Sequence, residues 1–337
     1  MRCAYPPYLF LWRDLRQWAN YITNPAFLCV PSVVKKTNSN SNSLLPGLIV
    51  AAHGKHYRAE LEDGRSISCV TRGKKTGTAC GDRVEIALTA PDQGVIERIA
   101  PRSTQLYRSD LYREKIIAAN VDQIVIVVAA VPSFYEELIN RCLVAAETSG
   151  IRALIVLNKI DLPESAAARQ TLALYESLGY PLLPLCAKQD VTLLRQHLAH
   201  HASVLVGQSG MGKSTLINAL LPDAKIREGD ISAALDSGKH TTTEATLYHL
   251  DRDSHIIDSP GLQEFGLHHL QVEDIAPAFI EFRPFLGQCR FHNCRHLVEP
   301  GCALDSAVAA GAIDPRRLKT YRVLAQEKLR APRIYSA

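Results

Sequence analysis

The sequence lacks any apolar run close to the ~18 residues that a membrane-spanning helix needs. It also lacks a signal-peptide pattern, because charged residues interrupt the short apolar patch near residues 8–12. We therefore expect no membrane partner and a cytoplasmic location. A strong net charge is absent as well: 38 Lys and Arg against 34 Asp and Glu leave +4, which says little about partners.

The nine cysteines do not indicate a disulfide framework, because their number is odd and six of them are scattered along the chain. The other three, Cys289, Cys294 and Cys302, fall within fourteen residues together with His296. Three thiolates and one imidazole make a closed tetrahedral Zn²⁺ set. We expect one structural Zn²⁺ here, because a closed set leaves no position for a reactive water. The alternative is four unrelated residues in a loop-rich tail.

Four segments differ in pattern along the chain, and together they predict an α/β protein. Residues 1–43 include an Asn- and Ser-rich stretch and are predicted to be a disordered extension and linker. Residues 44–103 hold five short β-prone stretches, which predicts a small barrel, with the oligonucleotide-binding (OB-fold) barrel as leading candidate. Residues 104–272 alternate apolar strands with helix-like stretches, as in a parallel sheet covered by helices. Residues 273–337 are predicted to be a mainly helical, zinc-binding domain.

A phosphate-binding loop is predicted between an apolar strand at 203–206 and a helix-like stretch at 214–221. Its sequence fits G-x4-G-K-[ST], a pattern whose backbone N–H groups surround phosphate oxygens at a helix N-terminus. We expect Lys213 to reach the β- and γ-phosphates, Ser214 to bind Mg²⁺, and Thr215 to lie near the α-phosphate. The predicted phosphate-contacting residues are Gly207, Gln208, Ser209, Gly210, Met211, Gly212, Lys213, Ser214 and Thr215.

A second motif resembles the guanine-reading N-K-x-D of GTPases: Asn158, Lys159, Ile160 and Asp161, directly after an apolar strand. The Asp161 carboxylate can accept hydrogen bonds from guanine N1–H and from the exocyclic amine, a donor pair that adenine does not offer. Asn158 is expected at the N7 edge, and the stem of Lys159 along the base plane. The motif thus predicts guanine as the base.

Cys186-Ala187-Lys188 resembles the S-A-K motif of GTPases, in which the alanine N–H meets guanine O6. Cys186 stands where that motif has serine. Together with the two preceding motifs, this indicates a guanine-nucleotide site.

Asp258 and Gly261 fit D-x-x-G after another apolar strand. We expect Asp258 to hold Mg²⁺ through water and the Gly261 N–H to sense the γ-phosphate. The stretch Gly-Lys-His-Thr-Thr-Thr at 238–243 lies between the phosphate loop and this motif. One of its threonines is expected to bind Mg²⁺ in the first switch, and Thr242 is favoured over its two neighbours.

The residue after D-x-x-G is Leu262, where other GTPases usually have a glutamine that orients the attacking water. Leucine cannot hydrogen-bond water, so intrinsic hydrolysis is expected to be slow. His240 is the best candidate in this chain for the missing role, and a structural role in the switch is the equally weighted alternative. The predicted catalytic residues are therefore Lys213, Thr242 and His240.

The motifs occur in a circularly permuted order, with N-K-x-D and C-A-K before the phosphate loop. Barrel, permuted GTPase and zinc pattern, in that order, resemble the RsgA (YjeQ) family over roughly residues 44–330. The resemblance implies a GTP-hydrolysing late assembly factor of the small (30S) ribosomal subunit. It implies contact with 16S rRNA, GTP/GDP exchange and hydrolysis stimulated by the subunit. We expect a monomer, and we expect the second switch to lead directly into the zinc domain.

Two other interpretations stay open at this point. In the first, the chain is a nucleotide-gated rRNA-binding protein with incidental turnover, which Leu262 leaves possible. In the second, it is a permuted GTPase of the large subunit, which the barrel and the zinc pattern disfavour. Residues 280–337 carry ten Lys and Arg against five Asp and Glu, an excess that fits either an rRNA surface or a solvated charged face.

Overall fold

The computed structural model describes most of the chain from residue 44 onward. The described residues are 44–72, 77–109, 114–222, 245–259, 267 and 270–330. The predicted extension at 1–43 and the switch-region residues His240, Thr242, Gly261 and Leu262 lie outside them. Every described residue belongs to one unit of the chain, Asn42–Ala337.

The first five strands close into a barrel. They are β1 (Leu45–His53), β2 (His56–Leu61), β3 (Ser66–Thr71), β4 (Arg83–Ala90) and β5 (Gln93–Ile99). The order β1-β2-β3-β5-β4 returns to its start because β4 also pairs with β1, and β3 lies parallel to β5. Burial alternates along β2 and β3, since successive side chains point to opposite faces. The predicted five-stranded barrel is confirmed.

A hairpin of β6 (Gln105–Ser109) and β7 (Glu114–Ala119) follows the barrel. Arg102, three residues before it, pairs with the buried Asp82 of the barrel at 2.6 Å between Nε and Oδ1. A backbone bridge joins Cys80 to β7. These contacts fix the hairpin against the barrel.

The central sheet carries the nucleotide motifs. Its strands are β8 (Gln123–Ala129), β9 (Arg152–Asn158), β10 (Leu182–Pro184), β11 (Ala202–Val206), β12 (Ala245–His249) and β13 (His255–Asp258). The order is β10-β9-β8-β11-β13-β12, and all neighbouring strands are parallel except β12, which runs antiparallel to β13. Every residue of β8 is buried, and alternate residues enter the hydrophobic cores on the two faces. Burial on both faces of the sheet explains why the sequence of β8 is continuously apolar.

In the described part of the chain, four helices cover the sheet. They are α1 (Glu136–Ser149), α2 (Ser165–Ser177), α3 (Thr192–Leu198) and α4 (Lys213–Leu220). Because strands and helices alternate, the carboxyl ends of the parallel strands meet at one edge of the sheet, where an α/β fold places its ligand. The predicted α/β architecture is confirmed.

The barrel and the central sheet are continuous. Strand β12 pairs antiparallel with β1, with Ala51 opposite Thr246 and Ala52 opposite Ala245. Thr246 also lies opposite Asp258 of β13 on its other side. One row of neighbouring residues therefore runs from the barrel to the aspartate of D-x-x-G.

The described residues after 270 contain helices and turns but no strand. They include α5 (Val272–Ile275), α6 (Ala303–Ala309), α7 (Pro315–Arg330) and the 3-10 turns Ala276–Ala278 and Ile280–Phe285. Phe279, Phe282 and Tyr321 pack ring against ring at the centre of this region. A mainly helical C-terminal region was predicted and is found. None of the helices in the described parts of the chain is long and apolar enough to cross a bilayer.

Candidate nucleotide and metal sites

The phosphate loop joins β11 to α4 and needs glycine at two close approaches. Gly212 has φ +91°, and a Cβ there would lie 2.4 Å from Asn158 Nδ2. At Gly207, with φ +157°, a Cβ would lie 2.3 Å from the carbonyl oxygen of Val127. Any larger residue would push the loop off β8 and off the base-reading motif. The loop follows its strand and begins its helix as G-x4-G-K-[ST] requires.

Lys213 folds back over this loop. Its Nζ donates to the carbonyl oxygens of Gly207 at 2.6 Å and Gln208 at 3.0 Å. Burial lowers the pKa of Lys213 from its ordinary value, while the charge of Asp258 acts in the opposite direction. The ammonium is held where the loop can receive phosphate oxygens, and both hydrogen-bond acceptors that the described residues offer it are carbonyl oxygens.

Asp258 is the other charged group at this edge, and it is only 7% exposed. Its Oδ1 is buried and has no hydrogen-bond partner among the described residues. Burial raises the pKa of Asp258, with the Lys213 charge opposing that rise. A buried carboxylate oxygen without a hydrogen-bond donor suits a cation, so Asp258 fits the predicted Mg²⁺ site.

Asn158 connects three motifs. Its Nδ2 donates to the carbonyl oxygen of Met211 in the phosphate loop at 2.9 Å. Its Oδ1 accepts from the N–H of Lys159 at 2.8 Å and from that of Ala187 at 3.0 Å. The Ala187 N–H, which the motif resemblance assigns to guanine O6, is thus bound to Asn158 here. One buried amide therefore sets the spacing between the phosphate loop and the base-binding loops.

Asp161 is exposed at the end of the same loop. A hydrogen bond from the Cys186 side chain is the largest cause that holds the pKa of Asp161 below its ordinary value. An ionised, acceptor-only carboxylate results, as reading two guanine donors requires. Cys186, which stands where the S-A-K motif has serine, thus donates a hydrogen bond to Asp161. Ile160, which is 41% exposed, and Lys188 also have exposed side chains.

The segment 131–135 also contacts this site, and the sequence analysis did not find it. The N–H of Tyr135 donates to the side-chain oxygen of Gln208 at 2.9 Å. Lys159 Nζ donates to the carbonyl oxygens of Val131 and Gly210, each at 2.8 Å. The segment carries no sequence motif. Only its position could have indicated a role, because it follows β8 at the edge of the sheet where the parallel strands end.

The four predicted zinc ligands come together in the C-terminal region. The Nδ1 atom of His296 lies 3.4 Å from Cys289 Sγ, 3.6 Å from Cys294 Sγ and 3.4 Å from Cys302 Sγ. All four ligand atoms lie within 4.8 Å of one another. Cys302 and His296 are buried. These separations fit four ligands around one tetrahedral ion, so the site fits a closed, structural Zn²⁺.

Three arginines of α7 are already paired within the protein. Arg316 contacts Glu136 of α1 at 3.3 Å, and Arg322 contacts Asp305 at 2.7 Å. Arg317 is 1% exposed and pairs with Glu281 at 2.5 Å. These three positive side chains of the C-terminal region therefore help to hold α7 in place within the protein.

Comparisons with known proteins agree with this geometry. The sequence model described as RsgA GTPase matches residues 99–268. The protein named small ribosomal subunit biogenesis GTPase RsgA from Nitrosospira multiformis is 60% identical over 281 residues, 83% of this chain and 90% of that protein. Its namesake from Neisseria meningitidis FAM18 is 54% identical over 270 residues, 80% of this chain and 88% of that protein.

Two solved structures have the same fold. YjeQ from Thermotoga maritima has a TM-score of 0.66 at 30% identity and covers 86% of this chain and 100% of its own. YloQ, described as a circularly permuted GTPase, has a TM-score of 0.62 at 27% identity, over 88% of this chain and 99% of its own.

Proposed function

The chain belongs to the RsgA GTPase family, and from that membership we propose that it is a late assembly factor of the small (30S) ribosomal subunit. It is a GTP hydrolase. The proposal rests on one observation. A single unit of the chain contains, in sequence order, a barrel, the nucleotide motifs and a Cys₃His cluster. The relatives are named for small-subunit biogenesis, and 16S rRNA in the cytoplasm is the proposed partner of a monomeric chain.

Recognition of the base rests on Asp161. Its ionised carboxylate accepts from guanine N1–H and the exocyclic amine, while Asn158 lies at the N7 edge and Lys159 along the ring. Ala187 offers its N–H to O6 if Asn158 releases it. The two loops converge because Asn158 binds both of them to the phosphate loop.

Binding of GTP changes the partners of Lys213. Its ammonium leaves the two loop carbonyls for the β- and γ-phosphate oxygens, which suit a buried cation better. Ser214, Thr242 and Asp258 would hold Mg²⁺, and the ion supplies charge stabilisation at the transferred phosphoryl group. We assign to the Gly261 N–H the sensing of the γ-phosphate, and to His240 the orientation of the attacking water that Leu262 cannot bind.

The subunit triggers hydrolysis through the two flanking regions. The second switch, after Gly261, leads into α5 at Val272 with no intervening domain. The first switch ends at β12, which pairs with barrel strand β1. Docking of the barrel and the zinc-binding region on rRNA can therefore reorder both switches together.

The proposal predicts faster hydrolysis with small subunits than without them. Cosedimentation with each ribosomal subunit, in GTP and in GDP, tests the partner: binding to small subunits that depends on the nucleotide supports it, and preference for large subunits contradicts it.

A second candidate function is a nucleotide-gated rRNA-binding protein whose GTP turnover is incidental. It is favoured by Leu262, because leucine cannot orient the attacking water. In that case small subunits would bind the GTP form without accelerating hydrolysis.

A further inference from the structure

Two histidines face each other at the turn end of the β12–β13 hairpin, away from the nucleotide site. His249 and His255 are direct cross-strand partners in the register of the two strands. Their Nδ1 atoms lie 3.0 Å apart, and the ring planes are nearly perpendicular at 87° with centroids 4.8 Å apart. Two imidazoles thus present one nitrogen each to the same point. Neither residue has a part in GTP binding or hydrolysis.

A carboxylate from the barrel binds the other side of one ring. His249 Nε2 lies 3.0 Å from Glu60 Oε2, on β2. The side chains of His249 and Glu60 are 38% and 39% exposed, so ions in solution can reach them. Histidines that bind metals typically donate their second ring N–H to a carboxylate, which fixes the tautomer and leaves the first nitrogen as a ligand. Glu60 makes Nδ1 of His249 that free nitrogen.

The separation of the two nitrogens suits a shared ion. Nitrogens that each lie about 2.0–2.1 Å from one tetrahedral Zn²⁺ are about 3.3 Å apart. The 3.0 Å between His249 and His255 reaches that value with a small ring rotation.

We propose that His249 and His255 bind one divalent transition-metal ion, such as Zn²⁺, Ni²⁺ or Cu²⁺, with Glu60 orienting His249. Imidazole pairs select these borderline ions, while Mg²⁺ prefers oxygen ligands. Water fills the remaining coordination positions at this exposed site. Both ligands lie on the hairpin that ends in Asp258, and Glu60 links His249 to barrel strand β2. The ion is separate from the Cys₃His cluster and leaves that cluster's zinc in place.

The test is a calorimetric titration of Ni²⁺ into the full, zinc-loaded chain, with broadening of histidine NMR signals by the paramagnetic ion as a second measurement. We expect the wild type to bind one Ni²⁺ that His249→Gln and His255→Gln each lose, with broadening centred on these two rings. Glu60→Gln retains both ligands and should weaken binding by about ten-fold.

His197→Gln is the matched control, since His197 is an exposed histidine on α3 and should bind as the wild type does. Zinc content and GDP affinity of each variant show that it is folded. A wild type that binds no Ni²⁺ would show that the two imidazoles only share a proton, and would overturn the proposal. So would equal Ni²⁺ binding by wild type and His249→Gln.

Discussion

At the scale of single residues, Asp258 combines a cost to folding with a role in binding. Burial raises its pKa, so its ionised form is disfavoured in the folded chain. A group whose folded pKa is raised loses its contribution to stability as pH rises through that pKa. At neutral pH, where the carboxyl of the unfolded chain is ionised, burying the Asp258 charge therefore costs free energy that Mg²⁺ would compensate.

We predict that Asp258→Asn raises the free energy of unfolding of the nucleotide-free chain at neutral pH, because a neutral amide replaces that charge. The same variant should lose Mg²⁺-dependent hydrolysis by at least about a hundred-fold, since a metal supplies several kcal/mol at the transition state. Denaturant unfolding and GTPase rates measure the two effects. Asp253→Asn, on the exposed hairpin turn, is the control. A destabilised Asp258→Asn would contradict the assigned electrostatics.

Asp161 makes a prediction about the base. Asp161→Asn presents an amide nitrogen to the N1–H donor of guanine, so GTP affinity should fall by about ten- to a hundred-fold, the cost of an unpaired polar group. Competition between GTP and other nucleotides measures it. Cys186→Ser is the matched variant, because a hydroxyl keeps the hydrogen bond to Asp161 and should keep the preference. Undiminished guanine preference in Asp161→Asn would refute the assignment.

At the scale of elements, a buried ion pair attaches α7 to the 3-10 turn Ile280–Phe285, and the same arginine donates a hydrogen bond to α1. Arg317 lies between Glu281 and the Asn140 amide, with its guanidinium 4.4 Å from the centroid of the Phe279 ring. Both ion-pair side chains are at least nine-tenths buried. Removing one partner of such a pair leaves the other charge buried alone, which is more costly than removing both.

Arg317→Met should therefore lower the free energy of unfolding by about 3–5 kcal/mol. Adding Glu281→Gln should recover most of the loss, because no lone charge remains. Arg316→Met, next to it on the same helix and half-exposed, should cost no more than about 1 kcal/mol. Denaturant unfolding compares the three. Equal effects of Arg316→Met and Arg317→Met would contradict the importance of burial.

The zinc cluster makes a prediction for the same region. Freshly purified protein should hold about one Zn²⁺ per chain, as a single closed ligand set requires. Cys294→Ala should release it and expose the C-terminal region to protease, because metal binding contributes to folding. Cys142→Ala, a buried cysteine of α1 outside the cluster, should keep its zinc. Wild type without zinc would contradict the site.

The strands and helices were predictable where the sequence alternates or runs apolar, as β8 does. The pairing of β12 with β1 was not, because Ala51, Ala52 and Ala245 are small residues with no pattern of their own. The His249–His255 pair was not predictable from the sequence either, because only the register of the hairpin brings the two residues together. The nucleotide motifs were predictable because glycine spacing and charge define them locally, whereas the assigned roles of His240, Thr242 and Gly261 stay predictions.

At the scale of the whole molecule, both switches are bounded by elements that belong to other parts of the fold. The first switch ends at β12, which is held between barrel strand β1 and β13. The second begins after Asp258 and is followed by α5. In the proposed mechanism, a surface that positions the barrel and the C-terminal region at once would constrain both switches together.

That arrangement predicts how hydrolysis is triggered. The isolated chain should turn over slowly, because Leu262 leaves the attacking water without a hydrogen-bonding partner. Small ribosomal subunits should raise the rate by about two orders of magnitude or more, as groups that act on the water or the phosphoryl do in other GTPases. His240→Ala should remove most of this stimulated rate and leave GTP affinity nearly unchanged, whereas His197→Ala on α3 should keep both. Single-turnover hydrolysis with and without subunits measures the effect. Equal stimulated rates in wild type and His240→Ala would assign the water to an rRNA group, and no stimulation by small subunits would contradict the ribosome-triggered mechanism itself.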